Sequence, residues 1–326
     1  MISIKDINQD IKTVQILVRC DKVLSNISNN GSSYMAIHLV DPTGRIEARL
    51  WNSSKSDEGA FIVDNLYLVE GNVVIYKNIL QLKINNYKVV SNDELKNFGI
   101  KEDDFFHKAN IDIEKEYKFI IDLVSKFKNK TYSIITLELL KNNENKYKTY
   151  PAAMTIHHNV IGGLLWHSVS LLKAAIALQP VYEYCDVDWE LVYAGTILHD
   201  IGKVIEMNSK RATNYTLAGK LMGHISIGNA LVEEMAKKFQ FNLSSESYED
   251  VIRLQHVILS SHGKYEFGSP VEPQLLEAII VSSLDLLDSS INHIDSELKK
   301  IDIGNFTQRI IYQNNRMFFS HYKKNK

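Results

Sequence analysis

Thr196-Ile197-Leu198-His199-Asp200-Ile201-Gly202-Lys203 closes an apolar segment that begins near Trp189. Leu191, Ala194, Leu198 and Ile201 recur at i, i+3, i+7 and i+10, the spacing of a buried helical stripe. An imidazole beside a carboxylate at the end of such a helix is costly to bury unless something pairs with both. A divalent cation does so, because imidazole suits transition metals and carboxylate oxygens suit hard cations. One His-Asp dipeptide arises often by chance, so the remaining histidines decide how it is read.

Of eleven histidines, seven fall between positions 157 and 262. His167 lies in GGLLWHSVSLLKAAIAL, where Leu165, Val169, Leu172 and Ile176 make an apolar helical face. His224 opens GHISIGNALVEEMAKKF, with Leu231, Met235 and Phe239 on its stripe. His256 and His262 stand at the middle and end of a short helix in VIRLQHVILSSHGKY. Asp285 interrupts LLEAIIVSSLDLLDSSI, apolar around Leu276, Ile280 and Leu284. Taken singly, each reads as a hydrogen-bonded core or surface residue. As a set, polar residues on core-forming helices are how metal sites in helical domains are built.

The order His167, His199-Asp200, Asp285 resembles the HD superfamily of metal-dependent phosphohydrolases. The additional His224, His256 and His262 resemble the HD members that hold a second metal. The resemblance implies that all seven residues are ligands to one or two divalent ions, with Asp200 the natural bridge. A histidine-rich set favours Mn, Fe or Co over Mg, which prefers oxygen ligands and retains waters.

The 326 residues suffice for two or three domains. At 45% hydrophobic and 23% charged residues the chain is an ordinary globular one rather than a disordered one. A net charge of −2 means that any nucleic-acid surface must be local. Cys20 and Cys185 form no CxxC and suggest neither a zinc ribbon nor a disulfide scaffold. The charged start MISIKDINQDIK lacks the apolar core of a signal peptide. No apolar run approaches 18 residues, so a cytoplasmic protein without a membrane span is expected.

Residues 1–90 read as β. Strands are expected at 14–19, 34–40, 45–51, 66–76 with a bend or bulge at Gly71, and 80–84. Asp41-Pro42-Thr43-Gly44 supplies a turn, with Pro pre-setting φ and Gly free to take positive φ. Five short strands with a polar insertion at 53–64 that can form a helix fit a small Greek-key barrel of the OB type. Such barrels bind single strands through aromatic stacking and basic side chains, which nominates Arg19, Tyr34, Arg49, Trp51, Tyr76 and Lys83. Tyr34 and Trp51 also fit an ordinary barrel core.

Residues 91–150 read as a helical connector, with helices near 112–126 and 132–140. In KNNENKYKTYP, Lys141, Lys146 and Lys148 alternate with Tyr147 and Tyr150, a pattern that a solvated loop explains better than a phosphate grip. Residues 151–295 form the helical metal domain, and 296–326 a polar extension ending in a disordered HYKKNK. His157-His158 belong at the rim of the site, and His158 and Lys203 are the groups expected to meet phosphate beside Asp200.

The pairing of an OB-type barrel with an HD domain resembles the YhaM family of 3′-5′ exoribonucleases. DPTGRIEARLW, HHNVIGGLLWHSVSLL, YAGTILHDIGK, GHISIG and LQHVILSSHG carry that resemblance. It implies a multidomain α and β protein, an N-terminal five-stranded OB-type β-barrel followed by an all-α HD phosphohydrolase domain. The implied activity is manganese-type, metal-dependent RNA degradation with single-stranded RNA, or single-stranded DNA, as partner and a homo-oligomer as one possible assembly. Two other readings stay open: an HD-type nucleotide or cyclic-dinucleotide phosphohydrolase, and a single-strand binding factor with a structural HD site.

Overall fold

The structure, a computed structural model, describes every residue except 29–30, 77–78, 98, 154–159, 210–213 and 322–326. The chain divides into two compact units, 1–107 and 108–326. The expected disorder at the C-terminus concerns 322–326, outside the described residues.

The first unit is a closed barrel of β1 (Thr13–Ile27), β2 (Ser33–Asp41), β3 (Gly44–Trp51), β4 (Leu66–Tyr76) and β5 (Ile79–Val89) in the order β1-β2-β3-β5-β4. Only the β3–β5 pair is parallel, the arrangement of an OB-type barrel. Alternation produces the core: Val14, Ile16, Val18 and Cys20 of β1 face inward with Met35, Ile37 and Leu39 of β2. Closure gives each of the five strands two neighbours. β1 is longer than its pattern predicts, because beyond a register shift between Cys20 and Lys22 it pairs with β2 while only Val23 packs in part against the core. The bend expected at Gly71 coincides with the register shift between Glu70 and Gly71.

The 41–44 turn closes differently from the expectation. Gly44 does not adopt positive φ. Instead Asp41 Oδ1 accepts hydrogen bonds from the Thr43 and Gly44 amides at 2.7 and 2.9 Å, an aspartate turn that needs no left-handed residue. The insertion after β3 contains α1 (Lys55–Ala60), started by a capping box between Ser54 and Asp57.

The 91–150 segment is not one connector. Its first part, with α2 (Asn92–Asn97), packs Val90, Leu95 and Phe105 against Leu17 and Leu66 on the outside of the barrel. Its second part, α3 (Ile113–Val124), α4 (Lys130–Asn142) and α5 (Glu144–Thr149), sends Tyr117, Ile120, Ile135, Leu139 and Tyr147 into the core of the second unit. The Lys/Tyr stretch is therefore largely helical and not a loop, and its Lys148 is taken up in ion pairs. Tyr147 is fully buried, and Lys148 pairs with Glu114 and Glu144 at 2.7 and 2.6 Å.

That second unit continues with α6 (Gly163–Leu178), α7 (Trp189–Leu198), α8 (Lys203–Glu206), α9 (Leu217–Lys238), α10 (Ser245–Leu259) and α11 (Leu276–Leu298). Asp188 caps α7 by accepting from the Glu190 and Leu191 amides, so this helix has a defined start despite its uniform apolarity. Every residue from Leu191 to Leu198 is buried, which makes α7 the central helix. Among the described residues, Gly163–Tyr182 alone is long and apolar enough to cross a bilayer by composition. It contains α6, whose Leu164, Leu165, Leu171 and Leu172 are buried in the same core.

Candidate metal centre and nucleic-acid surface

Five elements deliver the polar residues to one place. His167 lies on α6, His199 and Asp200 follow the last turn of α7, Asp285 is on α11, and His262 follows α10. His224 enters through a break in α9, where Gly223 takes φ 71° and ψ 156° and restarts the helix. Close approach makes this possible: a Cβ on Gly202 would lie 2.0 Å from the His224 carbonyl oxygen. Gly202→Ala should therefore push His224 out of place and lower the melting temperature, and an unchanged melting curve and metal content would contradict that.

Two groups result, His167 with His199 and Asp285, and Asp200 with His224 and His262. In the first, Nε2 of His167 is 3.2 Å from Nε2 of His199 and 3.1 Å from Asp285 Oδ1. In the second, Nε2 of His224 is 3.4 Å from both His262 Nε2 and Asp200 Oδ1. Two donors each ~2.1 Å from one ion stand roughly 3.0–3.4 Å apart, so these separations fit coordination. Asp200 spans the groups, its other oxygen Oδ2 lying 3.4 Å from His199 Nε2.

The tautomers agree with that geometry. Each Nδ1 faces an oxygen acceptor: Asp288 Oδ2 for His167 at 2.7 Å, the Thr196 carbonyl for His199 at 3.1 Å, Glu206 Oε1 for His224 at 3.0 Å and the Phe267 carbonyl for His262 at 2.9 Å. Each Nδ1 therefore carries a proton, so Nε2 is the nitrogen of each of the four rings that would offer its lone pair to an ion, which has to displace any proton held there. Asp200 Oδ1 is buried and has no hydrogen-bond partner, which a buried carboxylate oxygen does not tolerate without a cation nearby. The residues present fit one or two divalent ions.

Electrostatics keep the carboxylates charged. Burial alone would raise Asp200, but Lys203 and the neighbouring imidazoles hold it well below the usual carboxylate range. Burial likewise opposes ionised Asp285, and the His167 hydrogen bond overcomes it and lowers its pKa. For His167, burial disfavours the imidazolium, yet Asp285 and Asp288 outweigh it and raise the pKa to about 9. Burial depresses His262.

Two nominated residues of the helical unit stand elsewhere or pair differently. His256 is outside both groups, because its Nε2 accepts a hydrogen bond from the Gln274 amide at 2.9 Å on the other side of α10 from the core-facing Val257 and Ile258. Lys203 is buried and bonded to Asp200 Oδ2 at 2.6 Å instead of facing an open phosphate position. His157 and His158 lie outside the described residues. Asp288 and Glu206 were missed, although each lies one helical turn beyond a nominated residue, Asp285 and Lys203. Glu206→Gln keeps the fold but weakens its hold on the His224 ring, so metal affinity should fall on the order of 10–100-fold. Titration of the apoprotein with Mn checks this.

On the barrel, Tyr34 and Trp51 are register partners on β2 and β3 and stack with ring centroids 4.8 Å apart. The Arg49 guanidinium lies 5.6, 5.8 and 4.9 Å from the ring centroids of Tyr34, Trp51 and Tyr76. Trp51 and Tyr76 remain 39% and 47% exposed, so this is an outer platform and not core. Lys83 is exposed and paired in register with Arg49 across β3 and β5. Arg19 does not belong to the platform. Its guanidinium binds Asp64, Asp21 and the Phe105 carbonyl and lies over Phe106, which holds the 102–106 segment to the barrel.

The HD domain family matches residues 164–290. A 3′-5′ exoribonuclease YhaM from Geobacillus sp. (strain WCH70) is 38% identical over 306 residues, covering 94% of this chain and 91% of that protein. Among solved structures, a chain of a replication protein A heterotrimer bound to ssDNA matches 27% of this chain and 65% of its own, at 16% identity and TM-score 0.23. The protein priB from Ralstonia solanacearum matches 24% of this chain and 99% of its own, at 13% identity and TM-score 0.22.

Proposed function

The chain belongs to the YhaM family of 3′-5′ exoribonucleases, and from that premise we propose that its helical unit hydrolyses the 3′-terminal phosphodiester of single-stranded RNA while its barrel grips the strand. Domain roles follow the two units, 1–107 for strand binding and 108–326 for hydrolysis. The observation that carries the assignment is Asp200, a buried carboxylate with one oxygen unpartnered between two pairs of inward-facing imidazole nitrogens.

His167, His199 and Asp285 would hold one divalent ion, His224 and His262 a second, with Asp200 shared. Bound ions supply a nucleophilic hydroxide at neutral pH and charge stabilisation for the phosphoryl oxygens. The protein's own groups do the rest. Asp288 and Glu206 fix the orientation of His167 and His224. Lys203 keeps Asp200 ionised and aligned through its 2.6 Å bond. Nitrogen-rich donors without sulfur favour Mn, Co or Fe over Mg. Elemental analysis of purified protein should approach two metals per chain and fall to one in His224→Ala. A fully active wild type with one metal per chain would refute the paired site.

A digestion series with 5′-labelled oligoribonucleotides tests the activity: ladders shortening stepwise from the 3′ end support it. Length-independent hydrolysis of nucleotides alone would favour a nucleotide phosphohydrolase instead. The proposal includes a cytoplasmic location and RNA in preference to DNA, the latter read from parallel RNA and DNA ladders. It also includes self-association through the outer face of α11, where Leu276, Ile279, Leu286, Leu287 and Ile291 are exposed and uncharged, so two copies can meet there without burying an ion. A monomeric mass by light scattering would count against it.

A further inference from the structure

The loop after α10 returns on itself within a few residues. The His262 amide donates to Ser269 Oγ at 3.1 Å, and the Phe267 and Gly268 amides donate to the Lys264 and Tyr265 carbonyls at 3.1 and 3.0 Å. Its Phe267 carbonyl receives Nδ1–H of His262 at 2.9 Å, so the backbone of Phe267 touches a ring of the second metal group. The two aromatic side chains of this hydrogen-bonded loop are left largely in solvent. Tyr265 is 65% exposed and Phe267 52% exposed, and among the described residues neither joins a hydrophobic core. Lys264 Nζ lies 5.6 Å from the Phe267 ring centroid, adding a cation beside the aromatic face.

The other histidine of the group has the same kind of neighbour. Leu221 and Met222, immediately before the Gly223 break and His224, are 76% and 54% exposed. The His224 and His262 rings are 5.2 Å apart between centroids, and exposed apolar residues adjoin each of them within a few positions along the chain. Exposed apolar groups gathered at one site mark a binding surface. In a phosphodiester substrate the flat apolar group next to the scissile phosphate is a nucleobase.

We propose that Phe267 and Tyr265, with Lys264 beside them, form a stacking subsite for the terminal nucleobase at the mouth of the Asp200, His224 and His262 group. This rests on the exoribonuclease reading of that group. Stacking accepts every base, because each has a π face, and so serves an enzyme that removes nucleotides one after another. Lys264 is placed for the adjoining phosphate.

The experiment compares two oligoribonucleotides, identical except that one carries an abasic nucleotide at its 3′ end. The wild type should turn over the abasic end about 5- to 150-fold less efficiently in kcat/KM, the value of one base stacked on an aromatic ring. Phe267→Ala should slow the intact end by a similar factor, leave the abasic end unchanged and so erase the difference, with metal content as in the wild type. Phe267→Trp should restore it. Phe267→Leu, which keeps bulk beside His262, carries the same test should the alanine variant lose metal. A wild type that shortens both ends equally, or a Phe267 variant that keeps the full preference for a base, overturns the subsite and leaves the exoribonuclease reading intact. A wild type that shortens neither overturns both.

Discussion

Asp200→Asn should reduce kcat/KM on oligoribonucleotides by on the order of 10³-fold or more, since several kcal/mol of charge stabilisation at the reacting phosphate depend on the ions this residue would share. Its two oxygens face the two histidine pairs separately, so no neighbouring carboxylate can replace it. The substitution also strands Lys203, 7% exposed and bonded to Asp200. A buried charge that loses its partner costs about 3–5 kcal/mol, so a folding defect must be separated from loss of the site. Lys203→Met in the same chain removes the stranded ammonium and should recover the melting temperature without recovering activity. A folded Asp200→Asn protein with wild-type activity, measured in chelator-stripped buffer with added Mn, would end the assignment of this carboxylate to the metal centre.

The barrel platform yields the second large effect. Trp51 and Tyr76 are exposed around Arg49, and each stacked base is worth ~1–3 kcal/mol. The double variant Trp51→Ala/Tyr76→Ala should raise Kd for a long single strand on the order of 10²-fold or more, while the salt dependence of binding stays as in the wild type. Arg49→Gln should act mainly on the salt dependence instead. Its loss weakens binding modestly and lowers the steepness of the salt dependence by about one phosphate contact. Turnover of a dinucleotide, too short to engage the barrel, should be unaffected by all three changes. Unchanged affinity for the long strand in the aromatic variant would move the barrel from strand binding to another role.

Arg19 shows where a residue list from sequence alone fails. Nothing in the strand pattern separates it from Arg49, because both are basic residues on barrel strands. Their difference lies in residues far away in sequence, Asp64 and Phe105 around Arg19, and Tyr34 and Tyr76 around Arg49. His256 and His262 give the same lesson six residues apart. Both belong to one histidine-rich stretch, but His256 is drawn off by the Gln274 amide while His262 is turned inward by the Phe267 carbonyl.

What the amino-acid order by itself determined is what local rules govern. Period-two alternation produced the barrel strands, helical apolar stripes produced the helices that carry the candidate ligands, and the order of His167, His199, Asp200 and Asp285 indicated an HD-type centre. What only the tertiary structure decided depends on contacts between distant residues: the division of 91–150 between two cores, the pairing of Lys203 with Asp200, and the grouping of six candidate ligands into two sets. Asp288 and Glu206 belong to this class as well. A carboxylate on a helix is solvated by default, and only the arrival of an imidazole from another helix, held at 2.7 or 3.0 Å, makes it part of the site.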